Sequence, residues 1–283
     1  MPKHKKTVVI LSVSSDIGND LARRYLAAGF RVAGTFRTKV NIKDLQKHPD
    51  GRLFYCDLAQ KGSVKKFLQN FKRLGWSWDV FISCVGMPQP LTVFFKTDFD
   101  AWAQSVQVNS TEQLRILHGL YPYRNKKKIN DVVFFAAGGT NNAVVDFSAY
   151  TISKIMLIKM CEFLDAENRN LNIFITGPGW TKTKIHYKML TDPHISVRKR
   201  AETVQFLKNR QGTNLSDIFE CIEWLRRQGK KVASGRNFSV AFDPWKGPQG
   251  AKLAALLKSD PEMFKLKRHK SDLKGVKGFY AQK

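Results

Sequence analysis

A chain of 283 residues with 43% hydrophobic and 25% charged residues has the composition of a folded protein and excludes an intrinsically disordered one. Its 48 Lys and Arg against 23 Asp and Glu give a formal charge of +25, which attracts anions unless it only keeps a basic surface solvated. No stretch approaches the roughly 18 apolar residues of a membrane span, so the sequence predicts a soluble, cytoplasmic protein without a transmembrane segment.

Short apolar, β-branched segments alternate with amphipathic ones along most of the chain. Strands are predicted at residues 8–13, 31–36, 53–56, 80–85, 132–137, 172–176 and 237–241. Helices are predicted at residues 17–28, 64–74, 111–120, 148–164 and 215–227. Because strands that are apolar on both faces and alternate with helices are typical of parallel sheets, the pattern predicts an α/β fold. We expect a Rossmann-like, doubly wound parallel sheet of about seven strands with helices on both faces.

Two segments depart from this alternation. Residues 186–212 are mostly polar and basic, which predicts a substrate loop or lid. Residues 246–283 hold ten Lys/Arg against three acidic residues and are interpreted as a basic C-terminal extension, with a short helix around 251–257. Residues 1–245 are then a single domain. The four cysteines and six histidines do not cluster, so no metal site is predicted.

The first predicted strand runs directly into a helix. The turn between them reads Leu11-Ser-Val-Ser-Ser-Asp-Ile-Gly18. A diphosphate would rest there on the free N–H groups of the helix N-terminus, which makes Ser12, Ser14, Ser15, Asp16, Ile17 and Gly18 candidate ligands. Asp16 either repels that diphosphate or caps the helix.

A tyrosine and a lysine follow the fifth predicted strand at helical spacing. Residues four apart share a helix face, so Tyr150 and Lys154 point into one site. A phenol is a poor acid at neutral pH, with a reference pKa of about 10. A nearby ammonium is expected to lower the pKa of Tyr150 and make it a usable acid/base.

The succession from Lys6 to about Asp243 resembles the short-chain dehydrogenase/reductase family, loosely its members from bacterial surface-glycan biosynthesis. The resemblance implies that Tyr150 is the catalytic acid/base, that Lys154 also holds the ribose, and that Asn109 places a relay water at a helix kink. It further implies a set of cofactor-binding residues: Asp57 at the adenine, Leu58, Val85 and Gly86 along the cofactor, and Pro178, Gly179, Thr181 and Thr183 on the nicotinamide side.

Two departures from the family pattern are visible. Of the three glycines that the family has in its first turn, only Gly18 is present. The position of the family's catalytic serine holds Ala137, so a substrate carbonyl lacks its usual hydroxyl donor. Thr140 is the first candidate to replace it and Ser148 a weaker one. One missing donor of this kind typically costs a factor of about 10² to 10³ in rate.

Arg37 follows the second predicted strand, where an acidic residue would bind the ribose 2′-hydroxyl of NAD. An arginine there pairs with a 2′-phosphate instead, which favours NADP(H) over NAD(H), although an exposed loop arginine is the alternative.

The sequence therefore predicts an oxidoreductase that transfers a hydride between NADP(H) and a carbonyl or alcohol. The basic residues favour an anionic small-molecule substrate, such as a nucleotide-linked or phosphorylated sugar. The alternative is a catalytically impaired dinucleotide sensor or scaffold on the same fold. Specific nucleic-acid binding is not predicted, because it would rest on charge alone. The resemblance implies a homodimer or homotetramer that pairs through the helices holding Asn109 and Tyr150.

Overall fold

The first strand shows why the chain forms a layered structure. In β1 (Thr7–Leu11), Val8 and Ile10 join the apolar core on one side of the sheet, whereas Val9 and Leu11 join the core on the other. Since successive side chains of a strand point to opposite faces, a strand that is apolar at every position is stable only when both faces are covered. The computed structural model, which describes residues 5–209 and 212–268, has this architecture.

In the described residues, seven parallel strands form one sheet in the order β3-β2-β1-β4-β5-β6-β7. After β1 the strands are β2 (Arg31–Phe36), β3 (Gly51–Tyr55), β4 (Val80–Ser83), β5 (Asn130–Phe135), β6 (Leu171–Gly177) and β7 (Asn237–Ser239). The order reverses between β1 and β4, and such a switch point opens a crevice beyond the carboxyl ends of the strands. The predicted fold class is confirmed.

Helices cover both faces of the sheet. They are α1 (Asp16–Ala27), α2 (Lys43–Lys47), α3 (Lys61–Arg73), α4 (Phe99–Val106), α5 (Glu112–Leu120), α6 (Ser148–Glu167), α7 (Lys184–Leu190), α8 (Val197–Lys208), α9 (Leu215–Gln228), α10 (Lys230–Ala233) and α11 (Gly247–Ser259). Side chains of α1, α2, α9, α10 and α11 fill one core, and those of α3, α5 and α6 fill the other. Helix α4 packs against α6.

The segment predicted as a loop contains two helices. Helices α7 and α8 form most of residues 184–208, which we call the lid. Each helix has a single buried residue, Met189 in α7 and Thr203 in α8. The regular spacing of apolar residues by which a helix is recognised in a sequence is therefore weak there. For the same reason the prediction missed α2, whose one buried side chain is Leu45.

The C-terminal segment extends the fold past residue 245. Leu253, Ala254 and Leu257 of α11 are buried in the core beside α9 and α10. The guanidinium of Arg236 donates to the carbonyls of Leu257 and Asp260, which fixes the end of α11. The helix predicted around residues 251–257 is therefore present and longer than predicted. Residues 269–283 of the predicted extension lie outside the described residues.

Candidate active site

A cleft of about 1440 Å³ opens at the carboxyl ends of the strands. It runs from the turn after β1 to the first turns of α6 and α7. Two of the predicted site residues, Gly18 and Asn109, are buried beside the cleft. All of the others line it: Ser12, Ser14, Ser15, Asp16, Ile17, Arg37, Asp57, Leu58, Val85, Gly86, Thr140, Tyr150, Lys154, Pro178, Gly179, Thr181 and Thr183. The fold thus brings residues from six strand ends to one surface.

The turn between β1 and α1 keeps the shape of a glycine turn although serine replaces glycine. Ser12 has a φ of 65°, in the left-handed region that favours glycine, and its N–H donates to Thr35 Oγ1 at 3.0 Å. Ser15 is the N-cap of α1, since its Oγ accepts from Gly18 N at 3.1 Å. A Cβ on Gly18 would lie 2.3 Å from the carbonyl oxygen of Ser12. Only glycine therefore fits where α1 approaches the turn.

Asp16 does not cap α1, contrary to one of the two sequence interpretations. Ser15 already fills that position, and Asp16 is the first residue of the helix. Its carboxylate turns to the lid instead, where Oδ2 accepts from the backbone N–H of Lys184 at 2.6 Å. The Lys184 ammonium lies 3.5 Å from the other carboxylate oxygen and balances its charge.

Two charged residues line the end of the cleft at β2 and β3. Arg37 directly follows β2 and is exposed, within reach of a ligand in the cleft. Asp57 follows β3, and its carboxylate accepts from Ala59 N at 3.1 Å, which closes a turn. The Asp57 backbone N–H donates to Ser63 Oγ at 2.9 Å. Asp57 is therefore held in place by its own turn and by α3.

Tyr150 and Lys154 meet on the inner face of α6, as predicted. The Lys154 ammonium donates to the Val85 carbonyl at 2.9 Å and lies 5.5 Å from the centre of the Tyr150 ring. The Tyr150 hydroxyl is 3.3 Å from where a Cβ on Gly86 would stand, so the glycine leaves it room. The predicted spacing therefore builds a real pair.

The expected pKa change of that pair is wrong for this structure. Burial raises the pKa of Tyr150 to about 12, and burial lowers the pKa of Lys154 from 10.5 to about 7. Low-dielectric surroundings disfavour the charged form of each group. The ammonium is engaged with the Val85 carbonyl rather than the phenol.

Asn109 lies in a π-helical turn, Gln107–Thr111, that joins α4 to α5 and forms the predicted kink. Its side chain is buried and fully engaged. Oδ1 accepts from Met87 N at 2.8 Å, while Nδ2 donates to the carbonyls of Met87 at 2.7 Å and Ser105 at 2.9 Å. The carboxamide thereby fixes the segment after β4, which contains Val85 and Gly86.

The loop after β5 has no serine at the expected place. Ala137, Gly138, Gly139 and Thr140 all line the cleft. Ser148 is unsuitable as the replacement donor. Its hydroxyl accepts from the Trp102 indole N–H at 3.0 Å, and the residue does not line the cleft.

The segment after β6 forms the opposite wall. Gly179 has a φ of 76°, and a Cβ there would lie 2.7 Å from Thr213 Oγ1, so glycine is required. Thr181 is 4% exposed, and its Oγ1 has no hydrogen-bond partner among the described residues. Buried hydroxyls are normally paired, so this orphaned atom fits a polar ligand in the cleft.

The model of the short-chain dehydrogenase family matches residues 6–193. The chain belongs to this family. Its members are oxidoreductases that bind a nicotinamide dinucleotide, and the close approach at Gly18, the room left at Gly86 and the orphaned Thr181 hydroxyl all fit such a cofactor.

Known proteins resemble the chain at low identity over most of its length. A fatty acyl-CoA reductase of Acinetobacter baylyi is 25% identical over 245 residues, which cover 84% of this chain and 79% of that protein. A short-chain dehydrogenase/reductase of Saccharomyces cerevisiae superposes with a TM-score of 0.75 at 20% identity, covering 88% and 99% of the two chains. A short-chain dehydrogenase of Shigella flexneri complexed with NADP has a TM-score of 0.69 at 18% identity, covering 83% and 97%.

Several residues of this chain that line the cleft were not predicted from the sequence. Lys184 and Ile185 enter from the start of the lid, and Trp180 stacks on His186 with ring centroids 5.6 Å apart. Burial lowers the pKa of His186 below its usual value. Of these, only His186 fell in the segment that the sequence singled out as basic, residues 186–212. Two further cleft residues, Lys265 and Lys267, come from the C-terminal segment.

The described residues supply two further findings. No group of three or more His, Cys, Asp or Glu side chains among them could hold a metal ion. None of their helices combines the length and apolarity required to cross a bilayer.

Proposed function

We propose that this chain transfers a hydride between NADP(H) and a carbonyl or alcohol, with Tyr150 as the acid/base. The observation that carries the proposal is the arrangement of Tyr150 and Lys154 against Val85 and Gly86, in the same cleft as the turn after β1. The family match supports the reaction class.

Each residue has a separate task in this proposal. A bound nicotinamide supplies or accepts the hydride. Tyr150 donates its proton to the oxygen of a carbonyl that is reduced and accepts it back in the reverse direction. Lys154 is held beside the phenol by the Val85 carbonyl. An anion in the cleft raises the pKa of Lys154, because an opposite charge favours the ammonium.

Tyr150→Phe tests the acid/base. It keeps the ring and deletes the hydroxyl, so we expect nearly complete loss of turnover and a cofactor Kd within a few-fold of wild type. Lys154→Ala should weaken both binding and rate. Thr140→Val should lower the rate by about 10²-fold if Thr140 replaces the missing serine. Equal rates for wild type and Tyr150→Phe would instead favour the catalytically impaired sensor.

We propose that NADP(H) is preferred over NAD(H) because Arg37 lines the cleft directly after β2. A charge-assisted bond to a 2′-phosphate is worth about 1.5–3 kcal/mol, or roughly 10- to 150-fold in Kd. Calorimetry with both cofactors should show this preference in wild type and its loss in Arg37→Ala. Arg23→Ala is the control, because Arg23 pairs with Asp44 and does not line the cleft. Equal dissociation constants in wild type contradict the proposal.

The substrate is proposed to be an anionic small molecule, a phosphorylated or nucleotide-linked sugar. Support comes from four lysines that line the cleft, Lys188, Lys199, Lys265 and Lys267, of which the last three also pair with Glu202 or Glu262. An anion is attracted to such a surface at a strength that falls with added salt. The relative from Acinetobacter baylyi is named a fatty acyl-CoA reductase. An acyl-CoA is also anionic, so acyl-CoA is the competing substrate class.

Thermal stability with a panel of nucleotide sugars, sugar phosphates, acyl-CoA and uncharged carbonyls identifies the class, because a ligand that binds the folded state stabilises it. Lys188→Gln should raise the KM of the anionic substrate. Lys208→Gln, in the same lid but outside the cleft, should not. A substrate without charge that is turned over best contradicts the proposal.

A homodimer through α4 and α6 is also proposed. Large apolar side chains are exposed next to each other there: Phe95 is 97% and Phe99 62% exposed, and Phe99 stacks on Trp102 with centroids 5.7 Å apart. Ile152 and Met156 continue this face on α6. Contiguous exposed apolar surface of this kind marks an interaction site.

Light scattering coupled to size exclusion should give a dimer or tetramer for the wild type. Phe99→Asp should dissociate it, since a charge would be buried in the interface. Val197→Asp, at an 87% exposed valine of the lid, is the matched control and should leave the mass unchanged. A monomeric wild type contradicts the proposal.

A cytoplasmic location is proposed because the cysteines form no disulfide bonds. All four are free, and Cys56, Cys161 and Cys221 are buried. Free cysteines are typical of reducing compartments. Fractionation of cells that express the chain tests this.

A further inference from the structure

One contact joins the two ends of the cleft. Asp16 begins α1 beside the turn after β1, and Lys184 begins α7, 168 positions later in the chain. The Asp16 carboxylate accepts from the Lys184 backbone N–H at 2.6 Å through Oδ2, and its Oδ1 lies 3.5 Å from the Lys184 ammonium. Both carboxylate oxygens therefore contact one residue of the lid.

The contact supplies what α7 lacks locally. The first N–H groups of a helix have no partner within the helix, and a side chain at the N-cap usually provides one. Thr183, the N-cap of α7, makes no such side-chain hydrogen bond. Asp16 supplies the missing acceptor from another element, and its negative charge is favourable at this end of a helix.

Helix α7 is positioned between the two parts of the site. Ile185 Cδ1 lies 3.9 Å from where a Cβ on Gly86 would stand, next to the Tyr150 hydroxyl. One turn further, Met189 packs in a buried cluster with Leu91, Phe147 and Ile195. The helix is thus fixed by Asp16 at its start and by apolar contacts at its end.

We propose that Asp16 is a positioning residue that tethers the lid to the turn after β1 and holds it closed over the cleft. This rests in part on the proposed function, because a tethered lid retains a bound cofactor. It also explains an acidic residue beside a diphosphate site: the Lys184 ammonium offsets its charge.

Hydrogen exchange of the protein alone tests the tether without a cofactor. In Asp16→Ala the amides of α7 should exchange at least tenfold faster, which corresponds to about 1.4 kcal/mol. The amides of β6 should be unchanged. Asp16→Asn keeps an acceptor oxygen and should stay within about threefold of wild type. Asp20→Ala is the control, because Asp20 pairs with Arg24 within α1. Unchanged exchange of α7 in a folded Asp16→Ala overturns the proposal.

Cofactor release gives the second readout. Asp16→Ala should increase the dissociation rate of NADPH about tenfold and raise its KM by a larger factor than it changes kcat. Lys184→Met keeps the backbone N–H, so the amides of α7 should exchange within about threefold of wild type, whereas loss of the ammonium that offsets Asp16 should weaken NADPH binding. Tighter NADPH binding by Asp16→Ala, with α7 exchange unchanged, means simple repulsion and overturns the tether. If α7 loosens but wild type binds neither NADPH nor NADH, the tether stands and the proposed function fails.

Discussion

Lys154 is 2% exposed, and its ammonium donates to the Val85 carbonyl at 2.9 Å. Few lysines are buried to this degree, because removing an ammonium from water is costly unless it is paired. The lysine is thus held ready for an anion at the expense of stability. Perturbed groups of this kind concentrate at functional sites.

The pH dependence of stability reports this burial. The pKa of Lys154 is about 7 in the folded chain, below its ordinary 10.5. Between these values the unfolded chain holds a proton that the folded chain has lost, so stability rises with pH, by at most about 1.4 kcal/mol per unit. Below pH 7 the contribution is constant. Urea unfolding at pH 6 to 9 should show that the free energy of unfolding rises more steeply with pH for wild type than for Lys154→Met. Parallel plots of that free energy against pH for the two proteins contradict the prediction.

Gly18 provides a prediction about backbone approach. Gly18→Ala places a Cβ 2.3 Å from the Ser12 carbonyl, so we expect a loss of about 1–3 kcal/mol of stability and weaker cofactor binding. Gly62→Ala in α3 is the control: nothing lies within 4 Å of its Cβ, and it should stabilise by about 0.4–1 kcal/mol. Chemical unfolding and calorimetry measure both. An Ala at position 18 without effect would mean that the turn relaxes freely.

At the scale of elements, the connection between α4 and α5 shows how a distortion positions the site. The π-helical turn at residues 107–111 inserts an extra residue into the helical ladder, and such turns are frequent at functional sites. It directs Asn109 towards Met87, which follows β4. Helix geometry and the cleft wall are coupled through this one side chain.

Asn109→Leu should cost about 2–4 kcal/mol of unfolding free energy, because the partly buried N–H and carbonyl of Met87 lose their shared partner. Turnover should fall further than stability alone explains, since Gly86 is no longer held. The exposed Asn170 offers the control, and Asn170→Leu should change stability by less than about 0.5 kcal/mol. A stable and fully active Asn109→Leu enzyme would refute this role.

At the scale of the whole molecule, the charge of +25 sets a repulsion that no single contact removes. Each ion pair among the described residues, such as Arg226 with Asp131 at 2.8 Å, uses one basic and one acidic side chain and so leaves the basic excess unchanged. In most of these pairs at least one partner is exposed to solvent, which weakens its contribution. Net repulsion therefore acts against the compact state.

Added salt should accordingly stabilise the protein. Raising NaCl from about 20 to about 300 mM shortens the screening length, and we expect the Tm to rise by roughly 3–6 °C. Differential scanning calorimetry measures this. Acetylation of surface lysines should remove most of the dependence. A Tm that falls with salt would show that attractive pairs outweigh the repulsion.

The sequence by itself determined the layered α/β fold and the pairing of Tyr150 with Lys154. Both depend on short-range periodicity: strands that are apolar at every position must be covered on both faces, and residues four apart share a helix face. Most predicted ligands came from the family resemblance, and they line one cleft because the carboxyl ends of parallel strands meet at one edge of the sheet.

Only the tertiary structure decided where polar groups find their partners. Asp16 contacts Lys184, 168 positions away in the chain, and the backbone N–H of Ser12 donates to the Thr35 hydroxyl in β2. The Lys154 ammonium donates to the Val85 carbonyl rather than to Tyr150. The lid helices were missed because they bury too few side chains to show a period. Apolar burial leaves a local pattern in the sequence, whereas a hydrogen bond between distant elements, or the burial that shifts a pKa, depends on how those elements are brought together.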